Sequence, residues 1–544
     1  MEPEIGIHTK AKVGIGKHEP QETIVDNWSN NGEILRWNAE RTAAGGIWLL
    51  IVYTAVKNLF AAKSQPFWYD ELLTVAVAHQ PNLGAVWTAL TRAKDSSPPL
   101  YILFEHLCGV LVPNEQVAYR LPSIIGFGCI MWCLFIFVRK RSGSICAFLC
   151  ALIPILTPLY KRYAVEARSY CLVVACISIA LVCYQRVLRR SWPIYLGLAL
   201  AGAEAFHYYA LFSFPAFVIA ELAWTANSQK VRWSVWLAFA GGFLPLVASW
   251  PFLVALKTYY GTNFWGRPTF TVIMHAYDGL FGTSVLRVLP GLGFIVAAAL
   301  SVVAILAGPF YESSNHNVEK TQASYESLLT VGLLSVPFVA FAATSIGHGV
   351  LTGRYLLSMV LGVAIAASYV LRPIRGRRKV LLGLIAIVMV AISWKEVLFW
   401  ARGRHQLANS YSSASPVIKL LTSVAQADLP FVVSDGQAYV ELAYYAPTEL
   451  AKHLLVLVDP PNAVKFAGND SVDRGILALR CCVALNVYQY EDFAPEYPKF
   501  LLYSGRSTFD WWPARLRKDG YLLETVASDQ NGDVYMVNRS PQLH

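Results

Sequence analysis

Leu121-Pro-Ser-Ile-Ile-Gly-Phe-Gly-Cys-Ile-Met-Trp-Cys-Leu-Phe-Ile-Phe-Val138 is an uninterrupted run without a charge, and it stops at Arg139-Lys140-Arg141. Eighteen residues of α-helix rise about 27 Å, close to the thickness of a bilayer's hydrocarbon core. A charge-free run of that length closed by three basic residues is the pattern of a membrane span whose end faces the cytoplasm. Similar runs recur along the chain. Reading outward from this one gives eleven expected spans, at 45-62, 121-138, 144-160, 170-184, 193-207, 209-226, 234-256, 289-310, 326-346, 355-371 and 380-398.

The whole composition agrees with that reading. Of 544 residues 55% are hydrophobic and 15% charged, with a net charge of +10, a balance foreign to a water-soluble chain of this size. The tail from Trp400 to His544 holds 13 Lys+Arg against 15 Asp+Glu. The excess positive charge therefore sits in short loops between apolar runs, which excludes a nucleic-acid footprint. Four basic clusters set the orientation: Arg139 to Arg141, Arg186 with Arg189 and Arg190, Lys230 with Arg232, and Arg372 through Lys379. All four fall on the cytoplasmic side if the N-terminus is inside and the apolar segment from Pro98 to Val112, too short to cross, lies along the outer interface.

Three regions follow. Residues 1-44 lack a signal-peptide plan and read as a mostly disordered cytoplasmic tail. Residues 45-399 form the membrane domain, with a first external loop at 63-120. Residues 400-544 read as an external soluble α/β domain: short apolar runs at Phe431 to Ser434, Leu454 to Asp459 and Lys499 to Tyr503 alternate with helical stretches. A hairpin is expected between Tyr521 to Val526 and Val534 to Val537, across Asn531-Gly532. Eight of the ten cysteines lie in or beside apolar spans and read as small core residues. The adjacent Cys481 and Cys482 do not suggest a disulfide framework.

Chemistry is concentrated in the external loops. Trp68-Tyr69-Asp70-Glu71 puts two acids just past the first span, ahead of an amphipathic stretch from Leu72 to Leu90. Such a pair can move a proton, hold a divalent cation, or simply cap a helix. Asp95-Ser-Ser-Pro-Pro-Leu-Tyr101 follows, then Arg120-Leu-Pro122 at the mouth of the second span. Further on come Tyr163-Ala-Val-Glu166-Ala-Arg168-Ser-Tyr170, His207-Tyr208-Tyr209 and Gly353-Arg354-Tyr355. Interfacial arginines such as these also serve as headgroup anchors, the commoner role for Lys161 and Arg162. A lone His is more often structural than reactive, which applies to His207 and His348. Glu204 should face protein or water, because a lipid-facing carboxylate is costly.

The ordered set Trp-x-Asp-Glu, Asp-x-x-Pro-Pro-Leu-Tyr, Arg-Leu-Pro, Glu-Ala-Arg-x-Tyr and Gly-Arg-Tyr resembles bacterial glycosyltransferases of the GT-C superfamily. These are related to protein O-mannosyltransferases and the lipid A aminoarabinose transferase. The resemblance spans roughly residues 45 to 400 and rests on the order of the motifs, each of which is weak alone. It implies a GT-C-like polytopic membrane fold and an inverting hexosyl or pentosyl transfer from a polyprenyl-phosphate carrier. The acceptor would be a protein, lipid or envelope glycan on the outer face of a bacterial inner membrane.

In that frame Asp70 is the expected base, with Glu71 beside it. Arg168, Arg354 and Arg120 are expected at the donor phosphate. Asp95, Glu166, Tyr170, His207 and Tyr355 fall at second-acid or substrate-binding positions. Tyr259, Tyr260 and Trp265, in the loop from Lys257 to Arg287, are candidates for stacking on sugar. The chain departs from many such proteins in having Ser97 where they carry His or a charge before Pro-Pro. Two arrangements therefore stay open: Asp70, Glu71 and Asp95 hold a divalent metal ion, or the arginines carry the phosphate charge without one. A polytopic secondary transporter and a non-catalytic membrane scaffold are the rival readings.

Overall fold

A computed structural model of the chain describes residues 22-93, 97-157, 162-261, 263-280, 289-307, 317-410, 416-425 and 428-539. Among the described residues, four helical stretches are long and apolar enough to cross a membrane: Glu40–Ser64, Glu115–Ser142, Tyr208–Ser228 and Arg378–Leu398. Two further pairs, Trp233–Ala248 with Trp250–Tyr260 and Tyr325–Leu334 with Val336–Gly347, pass the same test but bend by 49° and 55°. The sequence dictates those bends. Each break places a Pro in the first turn of the second helix, Pro251 and Pro337, where the missing N–H and the ring end the preceding ladder. Shorter apolar helices include Ser144–Leu156, Tyr170–Tyr184, Leu292–Ala307 and Met359–Ile374.

Small residues bring the helices together. A side chain at Gly126 would stand 3.0 Å from the Cys171 backbone, and one at Gly332 would stand 2.6 Å from Ala216 Cα. Close backbone approach of this kind supplies the dispersion contacts that hold helices together where no hydrophobic drive exists. At one end of the bundle the basic clusters interlock. Arg141 pairs with Glu326 at 2.7 Å, Lys140 donates to the Gln185 carbonyl at 3.3 Å, and Arg232 pairs with Glu221, which also accepts from Tyr184 at 3.2 Å. Cys146, near the first cluster, contacts the Leu371 carbonyl beside the last one.

The opposite end carries the loops. The expected amphipathic stretch Leu72 to Leu90 is two helices, Tyr69–Ala78 and Leu83–Ala93, broken at Pro81. The segment expected at the interface is the helix Pro99–Leu111, which packs on both. The last long helix runs from Arg378 to Ser410, across the expected boundary at 399/400.

Beyond it lies a six-stranded sheet ordered β3-β2-β1-β4-β6-β5. Its strands are β1 (Phe431–Val433), β2 (Leu454–Val458), β3 (Val487–Gln489), β4 (Lys499–Ser504), β5 (Tyr521–Ser528) and β6 (Asp533–Arg539). The first four run parallel, with Phe431 facing Leu454 and Leu501, and β6 pairs antiparallel to both β4 and β5. Strands β1 and β2, inside the sheet, are apolar and buried throughout, as strands of a parallel sheet covered by helices require. Asp529 makes the hairpin turn by accepting from the Asn531 and Gly532 amides at 2.7 and 3.0 Å. The sheet and the first loop share a core: Phe67, Tyr69, Leu72 and Tyr101 pack in one buried cluster with Phe431, Tyr439 and Ile476. Glu441 accepts from the Tyr69 amide at 2.8 Å, so the tail helps to hold the helix that carries Asp70.

Candidate active site

A cavity of about 730 Å³ opens between the loop end of the bundle and the tail. Asp70, in the first turn of Tyr69–Ala78, faces it, and Arg354 faces Asp70 from the short turn Gly353–Leu356. The Arg354 guanidinium donates through Nη1 to Asp70 Oδ2. Both side chains are mostly buried, at 12% and 14% exposure, which spares the pair the screening that weakens surface ion pairs. Arg354 Nε is buried with no hydrogen-bond partner among the described residues, as are Tyr170 Oη and Thr352 Oγ1 nearby. Arg168 also lines the cavity, donating to Thr74 Oγ1 at 2.9 Å and to the Asp70 carbonyl at 3.2 Å.

Aromatic rings wall the charges in. His207 lies 5.6 Å from Tyr170 and 5.0 Å from Tyr355 between ring centres, and Tyr209 lies 4.5 Å from Tyr355. The Arg354 guanidinium carbon is 5.7 to 5.9 Å from the rings of Tyr355, Trp265 and Tyr170, within reach of cation–π attraction. His207 Nδ1 accepts from the Tyr209 amide at 3.1 Å. A neutral imidazole held that way carries its proton on Nε2. His348 also lines the cavity, with a left-handed φ of 52°.

The two acids of the motif part company. Successive helix residues point about 100° apart, and Glu71 turns away from the cavity to Arg120, which donates to it through Nε at 2.8 Å and Nη2 at 2.7 Å. Glu71 also accepts from the Ala167 and Trp68 amides, while Arg120 donates to the carbonyls of Ala62, Gln65 and Pro66. Both are almost fully buried. The pair ties the end of the first span, the Asp70 helix and the loop before Tyr170 into one unit. Glu166 pairs with Arg162 at 2.8 Å, also outside the Asp70 cavity. Glu204 is fully buried, with both oxygens unpartnered among the described residues.

Asp95 and Lys161 lie outside the described residues. Among those described, no group of three His, Cys, Asp or Glu side chains is arranged to hold a metal ion. Asp70 and Glu71 are turned to different arginines, so these two members of the expected metal set do not converge.

Several lining residues were not legible as site residues in the sequence. Gln437, Ser471 and Phe509 come from the tail, and Ser471 Oγ accepts from the Trp265 amide at 3.0 Å. Arg474 donates to the Tyr259 carbonyl at 2.8 Å and Tyr259 Oη to the Arg474 carbonyl at 2.9 Å. Tyr259 therefore pins the loop to the tail, while Tyr260 and Trp265 line the cavity. Motif matching finds positions within the membrane half and is blind to these.

The fold and this cavity define a polytopic membrane protein whose helix bundle carries a charged, aromatic-walled chamber at one end, roofed by an α/β sheet. No family model and no curated protein matches the chain. Similar solved structures include ArnT from Cupriavidus metallidurans bound to undecaprenyl phosphate, at 12% identity over 91% of this chain and 98% of that one, with a TM-score of 0.41. Another is the Archaeoglobus fulgidus oligosaccharyltransferase in complex with Zn and sulfate, at 12% identity over 91% of this chain and 73% of that one, with a TM-score of 0.45.

Proposed function

We propose that the chain is a membrane glycosyltransferase that moves a sugar from a polyprenyl-phosphate carrier to an acceptor on the outer face of a bacterial inner membrane. The observation that carries this reading is the Asp70–Arg354 pair at the wall of the cavity, with Arg354 Nε unpartnered beside it. A carboxylate next to a guanidinium with a spare donor is what inverting transfer from a phosphodiester needs. The donor phosphate engages Arg354 and draws it from Asp70, which frees the carboxylate. Asp70 then accepts the acceptor's hydroxyl proton as that oxygen bonds to the anomeric carbon. The bond from that carbon to the phosphate oxygen breaks, and the lipid leaves as a phosphate monoester whose growing charge Arg354 and Arg168 stabilise.

The other motif residues take supporting roles. Glu71 and Arg120 position the Asp70 helix, and Tyr170, His207 and Tyr355 shape the sugar site. The tail closes the cavity and helps select the acceptor. Eleven crossings with the N-terminus cytoplasmic and the tail external are part of the proposal. It is supported by helix in each expected span and by the meeting of the basic clusters at the end away from the cavity. Purified protein given a sugar-loaded polyprenyl phosphate and candidate acceptors should release polyprenyl phosphate and label an acceptor. Uptake of solute into proteoliposomes without release of the carrier lipid would instead favour transport.

A further inference from the structure

A second cavity, of about 610 Å³, lies on the other side of Trp68, a residue common to both linings. Its walls come from the ends of the first and last long membrane helices, through Lys57, Lys395 and Glu396, and from the loop residues Arg162 and Glu166. Three carboxylates line it and each has a cation: Glu396 with Lys57 at 2.6 Å, Glu71 with Arg120 at 2.7 Å, and Glu166 with Arg162 at 2.8 Å. Lys395 is exposed, and among the described residues it is the one lining cation without an acidic partner.

Two further polar atoms are buried without a hydrogen-bond partner, Trp68 Nε1 and Oε2 of Glu166, a residue only 5% exposed. Buried polar atoms are rarely left unpaired in a folded protein. The lining side chains thus offer the exposed ammonium of Lys395, an unpartnered indole N–H on Trp68 and an unpartnered carboxylate oxygen on Glu166. Their complement is an anion that also carries a hydroxyl. Lys57 lies near the end of the span Glu40–Ser64, and Lys395 near the end of Arg378–Leu398, at the depth where phospholipid headgroups sit.

We propose that this second cavity binds a phosphorylated, hydroxyl-bearing lipid headgroup, at a site separate from the Asp70 cavity. The lipid enters between the first and last long helices, with its phosphate at Lys395 and its hydroxyl donating to Glu166. Glu71 and Arg120 also line this cavity, so its occupant touches the residues that hold the Asp70 helix. The site is read by binding alone and stands whether or not the chain transfers a sugar.

The test uses the full chain purified from nanodiscs of equal parts phosphatidylglycerol and phosphatidylcholine, with retained lipid counted by native mass spectrometry. Phosphatidylglycerol, which has the hydroxyls, should be retained about tenfold over phosphatidylcholine, a preference near 1.4 kcal/mol. Lys395→Glu and Glu166→Gln should abolish the preference, Lys395→Arg should keep it, and Arg354→Ala should leave it intact. An unchanged melting temperature for Lys395→Glu separates lost binding from lost folding. Equal retention of the two lipids, preference surviving in a folded Lys395→Glu variant, or loss of the preference in Arg354→Ala would overturn the proposal. So would displacement of the lipid by millimolar inorganic phosphate.

Discussion

Asp70 and Arg354 stand 284 positions apart in the chain and meet as an ion pair at the wall of the cavity. The first comes from the loop after the first long helix and the second from the turn before Met359–Leu371. Their meeting ties the first loop to the turn Gly353–Leu356 at the site. It also means that a phosphate ligand competes with Asp70 for the guanidinium.

Arg354→Lys tests the fork geometry. An ammonium can neutralise Asp70 or the phosphate as a point charge but cannot bridge two phosphate oxygens with a planar fork. Donor affinity and turnover should both fall, by about tenfold or more if one charge-assisted hydrogen bond worth ~1.5–3 kcal/mol is lost. Arg354→Ala should be worse. A fully active Arg354→Lys enzyme would reduce this residue to an interfacial anchor.

Glu71 carries a different expectation from its neighbour. Removing it leaves Arg120 buried without its carboxylate, and breaking a buried pair is destabilising by about 3–5 kcal/mol. Glu71→Ala should therefore lower the melting temperature by several degrees or prevent accumulation of the protein, a larger loss than for Asp70→Asn, whose amide oxygen still accepts from Arg354 at the wall of the cavity. Equal melting of Glu71→Ala and wild type would contradict the positioning role.

Asp473 gives the tail a pH response. It is buried in the helix Ser471–Leu479 and accepts from the Asp459 amide at 2.8 Å; burial pushes its carboxyl up to about 7, with Asp459 and Asp470 adding to the rise. The native state therefore holds this proton more tightly than the unfolded chain, and stability is lost as pH rises from about 4 to about 7. Asp473→Asn should gain on the wild type as pH rises from about 4 to about 7, so that its melting-temperature advantage is small at pH 4 and full at pH 8. An advantage that does not grow with pH would show that Asp473 is ionised without strain.

Much of the architecture was legible because apolar runs and proline breaks are local signals. The ordered motifs located Asp70, Arg168 and Arg354. Their spacing did not separate Asp70 from Glu71, since adjacency in sequence hides the turn of about 100° that sends one to the cavity and the other to Arg120. The break at Pro81 was readable in principle, but the apolar pattern runs across it. Strand β3 has three residues, too few for any period to show. Gln437, Ser471 and Phe509 reach the cavity only because the tail packs on the first loop, a contact between segments over 360 residues apart, such as Tyr69 and Glu441.

The orientation rests on the basic clusters and is open to a simple check. Reporter fusions after Arg141 and after His544 should report opposite sides of the membrane, with Arg141 inside. The same side for both would move the helix Pro99–Leu111 into the membrane and invert the loops that follow.

The most direct test of the account is the turnover of Asp70→Asn measured beside its donor binding. The amide keeps the shape of the side chain and removes its capacity to take a proton, so the purified variant should still bind a sugar-loaded polyprenyl phosphate. Its release of polyprenyl phosphate to an acceptor should fall by ~10²-fold or more relative to the wild type. Near-normal release by a well-folded Asp70→Asn protein would contradict the assignment of Asp70 as the base.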